Sequence, residues 1–402
     1  ENMVIAIKNN LSKLNKIEEL LNRGVAEIID KSELESKLQS SKKLRIKFGI
    51  DPTSPNIHLG RSIPLLKLKD FQELGHKIVL IIGDFTGLIG DTSDKDSERP
   101  MLSEKVVKEN LKKYIEQIAK IIDIKKVEVH YNSEWFKKLS FMELNHLADV
   151  FSLHDFNARE NINKRLKEGK RISLREMLYP IMQGYDSVQV KADVEIGGTD
   201  QRFNMLAGRD LQKLYKQKPQ NIITLPIIEG LDGRKMSSSW GNTINLLDTP
   251  NDMFIKIMSV QDNLIIKYFI LLTRVDMEII KNYENDLKNN INPREIKIKL
   301  AHELVKNYHS EKKAQIAEDY FIKTFSKKEI PDDLLNFKPI SGDYNIISVL
   351  VESKLASSNG DARRIIEQNG VKINGIIVKE INYTISPGEV LQKGKIKFLK
   401  IM

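Results

Sequence analysis

The first 245 residues predict a parallel α/β sheet, and three observations support that prediction. Residues 44–50 alternate apolar and polar side chains, which is the period of a strand. Residues 78–82 are continuously apolar, as expected of a parallel strand that is covered on both faces. Segments with helical periodicity, such as 61–74 and 104–122, lie between these strands and further strand-like runs at 127–131 and 221–228. This alternation predicts a sheet whose ligands bind at the carboxyl ends of its strands.

The rest of the chain changes character twice. From about residue 249 to 328 the pattern is helical, with few glycines and no strand-like run. Pro331, Pro339 and Gly342 then indicate a linker, and residues 344–366 predict two short helices before turn-rich strands over 371–401. We therefore predict an α/β domain over residues 1–245, an α-helical domain over 246–335 and a small α+β domain over 340–402.

Composition excludes several classes of protein. The 402 residues are 41% hydrophobic and 30% charged, which is ordinary for a globular chain and excludes a disordered or collagen-like one. The absence of cysteine excludes thiol catalysis, cysteine-held zinc and disulfides. No apolar run approaches the roughly 18 residues of a membrane span, and the first residues lack a signal-peptide pattern, so we expect a cytosolic protein without membrane contact. The net charge of +9 fits a polyanionic partner or a generally lysine-rich composition, and it does not decide between them.

Residues 49–61 connect a predicted strand to a predicted helix and read Gly-Ile-Asp-Pro-Thr-Ser-Pro-Asn-Ile-His-Leu-Gly-Arg. A helix start offers free N–H groups and the positive end of the helix dipole, which suit phosphates. Gly60 would let a flat ring approach the backbone, and Thr53 and His58 could donate hydrogen bonds to a phosphate. Taken alone, the segment is equally compatible with an ordinary connection that contains an incidental histidine.

Residues 232–239 form a second segment, a turn followed by a basic and hydroxyl-rich loop, Asp-Gly-Arg-Lys-Met-Ser-Ser-Ser. Alone it is typical of a solvated surface loop. In this order, on a strand–helix domain, the two segments resemble the HIGH and KMSKS signatures of class I aminoacyl-tRNA synthetases. The resemblance implies a Rossmann-like catalytic domain and ATP or adenylate contacts from Gly49, Asp51, His58, Gly60, Gly198, Asp200, Lys235, Met236 and Ser238.

Tyr179, Gln183 and Asp186 are spaced by four and three residues, which puts their side chains on one helix face. A face with three polar groups suits a pocket for a polar ligand. The segment resembles the amino-acid pocket of the tyrosyl-tRNA synthetase family. By that resemblance Tyr179, Gln183 and Asp91 hold the substrate ammonium, and Asp186 accepts a hydrogen bond from the substrate phenol.

Further positions receive roles only through the resemblance. Asn132 matches a neighbour of the phenol-reading aspartate. Residues 197–201 match the segment that binds the adenylate ribose and the aminoacyl end, and Gln201 is its candidate tyrosine contact. Lys95 and Arg99 match a basic pair on a mobile loop that grips pyrophosphate. Without the resemblance this pair would be interpreted as a solvated charge cluster, because acidic residues lie between the two cations.

Three positions depart from the family pattern. Arg61 stands where the second histidine of HIGH is usual, and Ser238 stands where the second lysine of KMSKS is usual. Lys47 stands where many bacterial members have a tyrosine that touches the phenol, and it is retained as a candidate tyrosine contact. One cation is therefore added near the nucleotide and another is lost.

Residues 355–375 resemble an S4 RNA-binding domain. Ser358 or Asn359 could cap a helix that presents Arg363 and Arg364 to RNA phosphates. Bacterial tyrosyl-tRNA synthetases carry such a domain at this end, whereas tryptophanyl enzymes do not.

The resemblance implies a ligase that joins L-tyrosine and ATP to tyrosyl-adenylate and pyrophosphate, then transfers the tyrosyl group to tRNA(Tyr). Magnesium would arrive with ATP, and no protein-held metal or organic cofactor is expected. Family members are homodimers, and Leu174 is a candidate interface residue. Catalysis would rest on positioning and on stabilisation of developing charge, by Thr53, His58, Arg61, Lys95, Arg99, Lys235 and Ser238.

Two alternatives stay open on the sequence. A tryptophanyl enzyme is disfavoured by Gln183, Asp186 and the S4-like segment. A synthetase-derived RNA-binding or splicing factor without catalysis is suggested by Arg61 and Ser238.

Overall fold

The computed structural model describes residues 2–91, 103–157, 159–326, 334–394 and 397–402. These residues form two compact units. The first comprises the chain up to Thr249 together with Lys256–Tyr308, and the second comprises Pro250–Ile255 and His309–Met402. Among the described helices, none is both long enough and apolar enough to cross a membrane.

A six-stranded sheet forms the centre of the first unit. Its spatial order is β1-β6-β5-β2-β3-β4, and every neighbouring pair is parallel except β1 with β6. The chain fills the β3 and β4 side after β2 and then crosses to β5 and β6, so β2 and β5 flank the point where the strand order reverses. Such a switch point opens a crevice at the carboxyl ends of the strands. The strands are β1 (Glu27–Ile29), β2 (Arg45–Ile50), β3 (Lys77–Ile82), β4 (Glu128–Tyr131), β5 (Val194–Gly198) and β6 (Asn221–Leu225).

The predicted parallel sheet is confirmed, with two strands that had no counterpart in the sequence patterns. The apolar run at 78–82 is buried throughout, as a strand covered on both faces must be. β1 is a short antiparallel edge strand that pairs only with β6 among the described strands, and its pattern is weak. The apolar pattern of β5 is interrupted by the buried charged residue Glu195, so a search for apolar runs does not find this strand.

Helices surround this sheet in the first unit. α10 carries the predicted polar face, and its start is closed by a capping box in which Ser173 and Glu176 bond each other's backbone N–H groups. α10 packs closely on α11, because a Cβ at Gly184 would lie 2.9 Å from the backbone of Gly208. The helices are α1 (Asn2–Asn22), α2 (Lys31–Gln39), α3 (Leu59–Glu73), α4 (Thr86–Ile89), α5 (Glu104–Ile118), α6 (Ser133–Phe136), α7 (Phe141–Ala148), α8 (Leu153–Asn157), α9 (Glu160–Lys167), α10 (Leu174–Gln189) and α11 (Arg202–Leu214).

The regular elements described between residues 246 and 326 are all helical, as the sequence pattern indicates. They are α12 (Pro250–Met258), which contributes to both units, then α13 (Ile265–Leu272), α14 (Met277–Lys288), α15 (Pro293–Tyr308) and α16 (Glu311–Phe321), which continues as a π-helical turn, Ile322–Ser326. Short 3-10 turns occur at Ile124–Lys126, Thr199–Gln201, Ser238–Trp240 and Asp262–Leu264.

The second unit ends in a small α+β body around its own apolar core. Two helices, α17 (Ile346–Glu352) and α18 (Asn359–Glu367), pack on a five-stranded sheet of order β7-β11-β10-β8-β9. Ser358 caps α18 by accepting a hydrogen bond from the Asp361 N–H, and Arg363 and Arg364 are exposed on that helix. The strands are β7 (Leu335–Phe337), β8 (Val371–Ile373), β9 (Ile376–Ile377), β10 (Val390–Lys393) and β11 (Lys397–Ile401).

Candidate active site

A cavity of about 1010 Å³ opens where the carboxyl ends of β2 and β5 meet. Backbone hydrogen bonds from Leu59 to Ile244 and from Leu246 to Ile57 join the first signature segment to the stretch that follows the second one. The cavity is lined by most of the residues that the sequence singled out: Gly49, Asp51, Thr53, His58, Gly60, Arg61, Asp91, Asn132, Tyr179, Gln183, Asp186, Gly198, Asp200, Gln201, Lys235, Met236 and Ser238.

Five further predicted residues are accounted for separately. Lys95 and Arg99 lie outside the described residues. Arg363 and Arg364 belong to the second unit. Lys47 is not among the residues that line the cavity.

His58 stands at the N-cap position of α3, directly beside the cavity. Its side chain is buried, and within the described structure Nδ1 has no hydrogen-bond partner. Burial, reinforced by the positive charges of Arg61 and Lys235, lowers the pKa of the His58 imidazole to about 3. The ring is therefore neutral at physiological pH and offers a hydrogen bond without a charge. The Gly60 N–H donates to Met236 Sδ at 3.4 Å, which links the first signature segment to the second.

The Arg61 guanidinium is held against the turn that follows β2. Nη2 donates to Thr53 Oγ1 at 3.2 Å, and Nη1 donates to the hydroxyl of Tyr114, a fully buried residue of α5. A cation that is fixed by two partners on the cavity wall suits an anionic ligand group. Tyr114 lies 53 residues away along the chain, and no sequence signal marks it.

Lys235 and Asp200 form the opposite wall. Lys235 Nζ lies 3.2 Å from Asp200 Oδ2, although the two residues come from different segments of the chain. Asp200 follows β5 in a 3-10 turn, and a Cβ at Gly198 would lie 2.4 Å from its Oδ1. Gly198 therefore permits the carboxylate to lie against the backbone. Ser238 begins the exposed 3-10 turn beyond Lys235.

At the inner end of the cavity, Tyr179 donates its hydroxyl proton to Asp51 Oδ2 at 2.7 Å, while Thr86 donates to Asp51 Oδ1 at 2.7 Å. Burial and the Asp51 charge raise the pKa of the Tyr179 phenol well above its usual value. Because its proton is engaged, the Tyr179 oxygen can only accept further hydrogen bonds. Gly83 allows this arrangement, since a Cβ there would lie 1.9 Å from Asp51 Oδ1.

The face of α10 ends at Asp186, a buried carboxyl. Trp135 Nε1 donates to its Oδ1 at 2.9 Å, and Asn132 Nδ2 lies 3.4 Å from its Oδ2. Burial raises the pKa of Asp186 to about 7, against the opposing effects of the Lys47 charge and these two hydrogen bonds. Trp135 was missed as a site residue, although it stands in the same short segment as Asn132.

A chain of side-chain amides links the α10 face to Asp91. Gln201 Nε2 donates to Asp91 Oδ2 at 2.7 Å, and Asn204 Nδ2 lies 3.1 Å from both Gln201 Oε1 and Gln183 Oε1. Three acceptor oxygens thus lie at one end of the cavity, those of Asp91, Gln183 and Tyr179. Asp186 follows Gln183 by about one turn of α10.

The structure places Lys47 behind the cavity wall. Its fully buried ammonium donates to Gln183 O at 2.8 Å, to Ser187 Oγ at 2.7 Å and to Glu195 Oε1 at 2.9 Å. The sequence made Lys47 a candidate tyrosine contact, and in the structure its ammonium is directed at these three protein groups. The reason is Glu195, which the sequence patterns did not mark and which stands directly opposite Lys47 on the neighbouring strand.

Two family models match the chain. The model described as tRNA synthetases class I (W and Y) matches residues 39–326, which include every residue that lines the cavity. The S4 domain model matches residues 346–391, which include α17 and α18. The predicted fold class, a class I α/β domain followed by helices and an S4-like body, is confirmed.

Relatives of known function match over nearly the whole chain. The tyrosine–tRNA ligase of Thermotoga maritima is 46% identical over 386 residues, which cover 95% of this chain and 96% of that protein. The tyrosine–tRNA ligase of Carboxydothermus hydrogenoformans is 45% identical and covers 98% of this chain and 99% of that protein.

Solved structures agree on the fold. A C-terminally truncated mitochondrial tyrosyl-tRNA synthetase of Aspergillus nidulans superposes with a TM-score of 0.66 at 19% identity, covering 79% of this chain and 99% of that one. The tyrosyl-tRNA synthetase of Archaeoglobus fulgidus, solved with L-tyrosine, gives a TM-score of 0.60 at 23% identity, covering 77% of this chain and 99% of that one. At these identities the likeness concerns the fold.

Proposed function

This chain belongs to the class I tRNA synthetases of the tryptophan and tyrosine family, and we propose that the cavity between β2 and β5 binds both small substrates of a tyrosine–tRNA ligase. The chain acts as such a ligase: it joins L-tyrosine and ATP to tyrosyl-adenylate and pyrophosphate, then transfers the tyrosyl group to tRNA(Tyr).

One observation carries the assignment of the tyrosine pocket. The two ends of the α10 face offer the two groups that tyrosine needs, because acceptor oxygens of Tyr179, Gln183 and Asp91 suit its ammonium and Asp186 suits its phenol. Trp135 and Asn132 each donate to Asp186, so the carboxylate keeps lone pairs for a phenolic proton. Gln201 supports the ammonium end through its bond to Asp91.

ATP would lie along the outer wall, with its adenine and ribose near Gly60, Met236 and Asp200 and its phosphates near the start of α3. Gly49, Asp51, Gly198 and Ser238 line the same space.

In the first step an oxygen of the tyrosine carboxylate attacks the α-phosphorus of ATP. The bond from that phosphorus to the bridging oxygen breaks, and its electron pair leaves with pyrophosphate. Negative charge therefore grows on the leaving group, and donors already in place stabilise it without reorganisation. Thr53, His58, Arg61 and Lys235 are the described groups that we assign to this task, with Lys95 and Arg99 as further candidates.

Mg²⁺ is proposed to enter with ATP. Within the described part of the chain, no cluster of three or more His, Cys, Asp or Glu residues could hold a metal ion. Triphosphate oxygens and water are the ligands that Mg²⁺ prefers, so the nucleotide would supply them.

The remaining parts of the chain are proposed to hold tRNA. We assign anticodon binding to an α-helical domain over residues 246–335. We assign contacts to the RNA phosphate backbone to the S4-like domain over 340–402, where Arg363 and Arg364 are exposed. Charging of tRNA serves translation, and the relatives are bacterial, so we propose a cytoplasmic location.

We also propose that the protein is a homodimer. Large apolar side chains are exposed on α7, α8 and the start of α10: Phe141 is 79% exposed, Met142 66%, Leu153 76% and Leu174 82%. A contiguous exposed apolar patch is typical of a surface that a partner covers, and we propose that these four side chains contribute to one. Leu174→Asp should convert the dimer to monomer in sedimentation velocity, whereas an unchanged dimer would place the interface elsewhere.

The experiment that tests the proposed function is ATP–pyrophosphate exchange with each amino acid in turn. Exchange that depends on tyrosine and not on tryptophan is the expected result. Exchange with tryptophan alone would indicate the other branch of the family. Silence with both, from a protein that still binds tRNA, would support an RNA-binding factor without catalysis, the role suggested by Arg61 and Ser238.

A further inference from the structure

A buried ion pair lies directly behind the tyrosine pocket. Lys47 of β2 and Glu195 of β5 stand opposite each other in the parallel ladder, with Nζ 2.9 Å from Oε1. Their side chains are 0% and 1% exposed. Removing two charges from water costs several kcal/mol per ion, and an apolar pair of similar volume is often as stable. Stability alone therefore does not account for the pair, and its other hydrogen bonds show what it holds.

Glu195 collects hydrogen bonds at both carboxylate oxygens. Oε1 accepts from Lys47 and from Gln183 Nε2 at 3.1 Å. Oε2 accepts from Ser187 Oγ at 3.2 Å and from Gln220 Nε2. Lys47 closes the network, because its ammonium also donates to the backbone carbonyl of Gln183. Both the backbone and the side chain of one pocket residue are thus tied to the same ion pair.

This arrangement fixes the direction of the Gln183 amide. A glutamine side chain can present either its oxygen or its NH₂ group, and only its partners decide which. An ionised carboxylate accepts and never donates, so Glu195 takes the NH₂ group. The Gln183 oxygen accepts from Asn204 at 3.1 Å and retains a second lone pair. Glu195 thus holds the NH₂ group on its own side, and the Gln183 oxygen is left with a lone pair that can accept a hydrogen bond from a ligand.

We infer that Glu195, held in place by Lys47, is a positioning residue that sets the Gln183 amide to accept a hydrogen bond, and that the pair thereby makes the pocket select an amino group. The inference deepens the proposed function and rests on it. Lys47 acts here through Gln183, and not by touching the phenol. The relevant chemistry of the ligand is the ammonium, whose N–H groups need acceptor oxygens.

Two ligands that differ only in the amino group give the test. L-Tyrosinol carries the ammonium and the phenol, and 3-(4-hydroxyphenyl)propan-1-ol lacks only the ammonium. Both are titrated into the full-length protein by calorimetry. The variant is Lys47→Met combined with Glu195→Gln, which removes both charges together, so that neither is left buried without its partner. A glutamine at 195 can donate as well as accept, and the Gln183 amide then becomes free to turn.

The expected result is a selective loss. Tyrosinol should bind at least about tenfold more weakly, the scale of one lost hydrogen bond to a charged group. The deamino alcohol should bind within about twofold of the original protein. In a Gln183→Leu background, the pair variant should have no further effect on tyrosinol, because the residue through which it acts is gone.

An equal loss of affinity for both ligands would overturn the inference, since it would show a general disturbance of the pocket. Unchanged affinity for both ligands would overturn it as well. Glu195→Asp is the second variant if the pair variant does not fold: it keeps both charges, but its shorter side chain withdraws the acceptor oxygen from Gln183, and the same selective loss is expected. Lys67→Met is the matched control, because Lys67 is a buried lysine that bonds the carbonyls of Leu20 and Arg23 away from the cavity. Absence of tyrosine-dependent exchange in the original protein would instead count against the proposed function.

Discussion

Replacing Asp186 by asparagine should weaken the preference for tyrosine over phenylalanine while leaving the shape of the pocket nearly unchanged. Asp186 is 4% exposed, and its two oxygens already accept from Trp135 at 2.9 Å and from Asn132 at 3.4 Å. These two bonds anchor the carboxylate but do not exhaust its lone pairs. A phenol fills the remaining position, whereas phenylalanine leaves a buried carboxylate without a partner there.

The size of the effect follows from the character of that bond. A hydrogen bond to a charged group is worth about 1.5–3 kcal/mol, and a neutral one about 0.5–1.5 kcal/mol. Asparagine offers only the neutral kind, and Trp135 still claims its oxygen. The difference between the two ranges is about 1–1.5 kcal/mol, so the ratio of kcat/KM for tyrosine to that for phenylalanine should fall by roughly 5-fold to 13-fold.

The assay is pyrophosphate exchange with each amino acid, and the control is Asp70→Asn. Asp70 pairs with Arg274 at 2.8 Å and does not line the cavity, so its removal tests the loss of a partly buried carboxylate elsewhere. Selectivity in Asp186→Asn that stays within threefold of the original would refute the reasoning, and another group would have to recognise the phenol.

Four further outcomes are expected. Burial raises the pKa of Asp186 to about 7, so its ionised, accepting form is lost as the pH falls through that value. The KM for tyrosine should therefore rise when the pH is lowered from 8 to 6. The KM of Asp186→Asn should not show this pH dependence. Burial lowers the pKa of His58 to about 3, so its ring acts as a neutral hydrogen-bond donor. His58→Asn, which can still donate, should therefore retain more single-turnover adenylate formation than His58→Ala. Equal activity of the two variants would show that donation by this residue is unimportant. Gly184→Ala should lower the free energy of unfolding in urea by about 1–3 kcal/mol, because its Cβ would lie 2.9 Å from the α11 backbone, whereas Gly49→Ala, with nothing within 4 Å, should be nearly neutral. A chain that ends at residue 333 should keep pyrophosphate exchange. It should charge tRNA at least about tenfold more slowly at 0.15 M salt, because contacts to RNA phosphates are lost. Loss of both activities from a folded truncation would contradict the assignment of tRNA binding to the removed residues.

The sequence by itself determined the elements whose signal is local. The buried strand at 78–82, the alternating strand at 44–50 and the polar face of α10 follow from periodicity, which each segment carries alone. The first signature segment and the S4-like segment likewise contain the predicted helix starts, because a turn before a helix start needs no distant partner. Spacing placed Asp186 on the polar face of α10, and the family resemblance implied its role at the phenol before its surroundings were known.

Only the tertiary structure decided which groups meet and what charge they carry. Lys47 was a candidate tyrosine contact on the sequence, and in the structure a carboxylate 148 residues away binds its ammonium behind the cavity wall. Tyr114 fixes Arg61, and Asp51 takes the proton of Tyr179, although neither pairing has a local pattern. The pKa values of His58 and Asp186 are likewise set by burial, which is a property of the packing around them. Periodicity reports which face of an element is buried, but the partner of a buried polar group is chosen by segments far away in the chain, where hydrogen bonds must be satisfied without water.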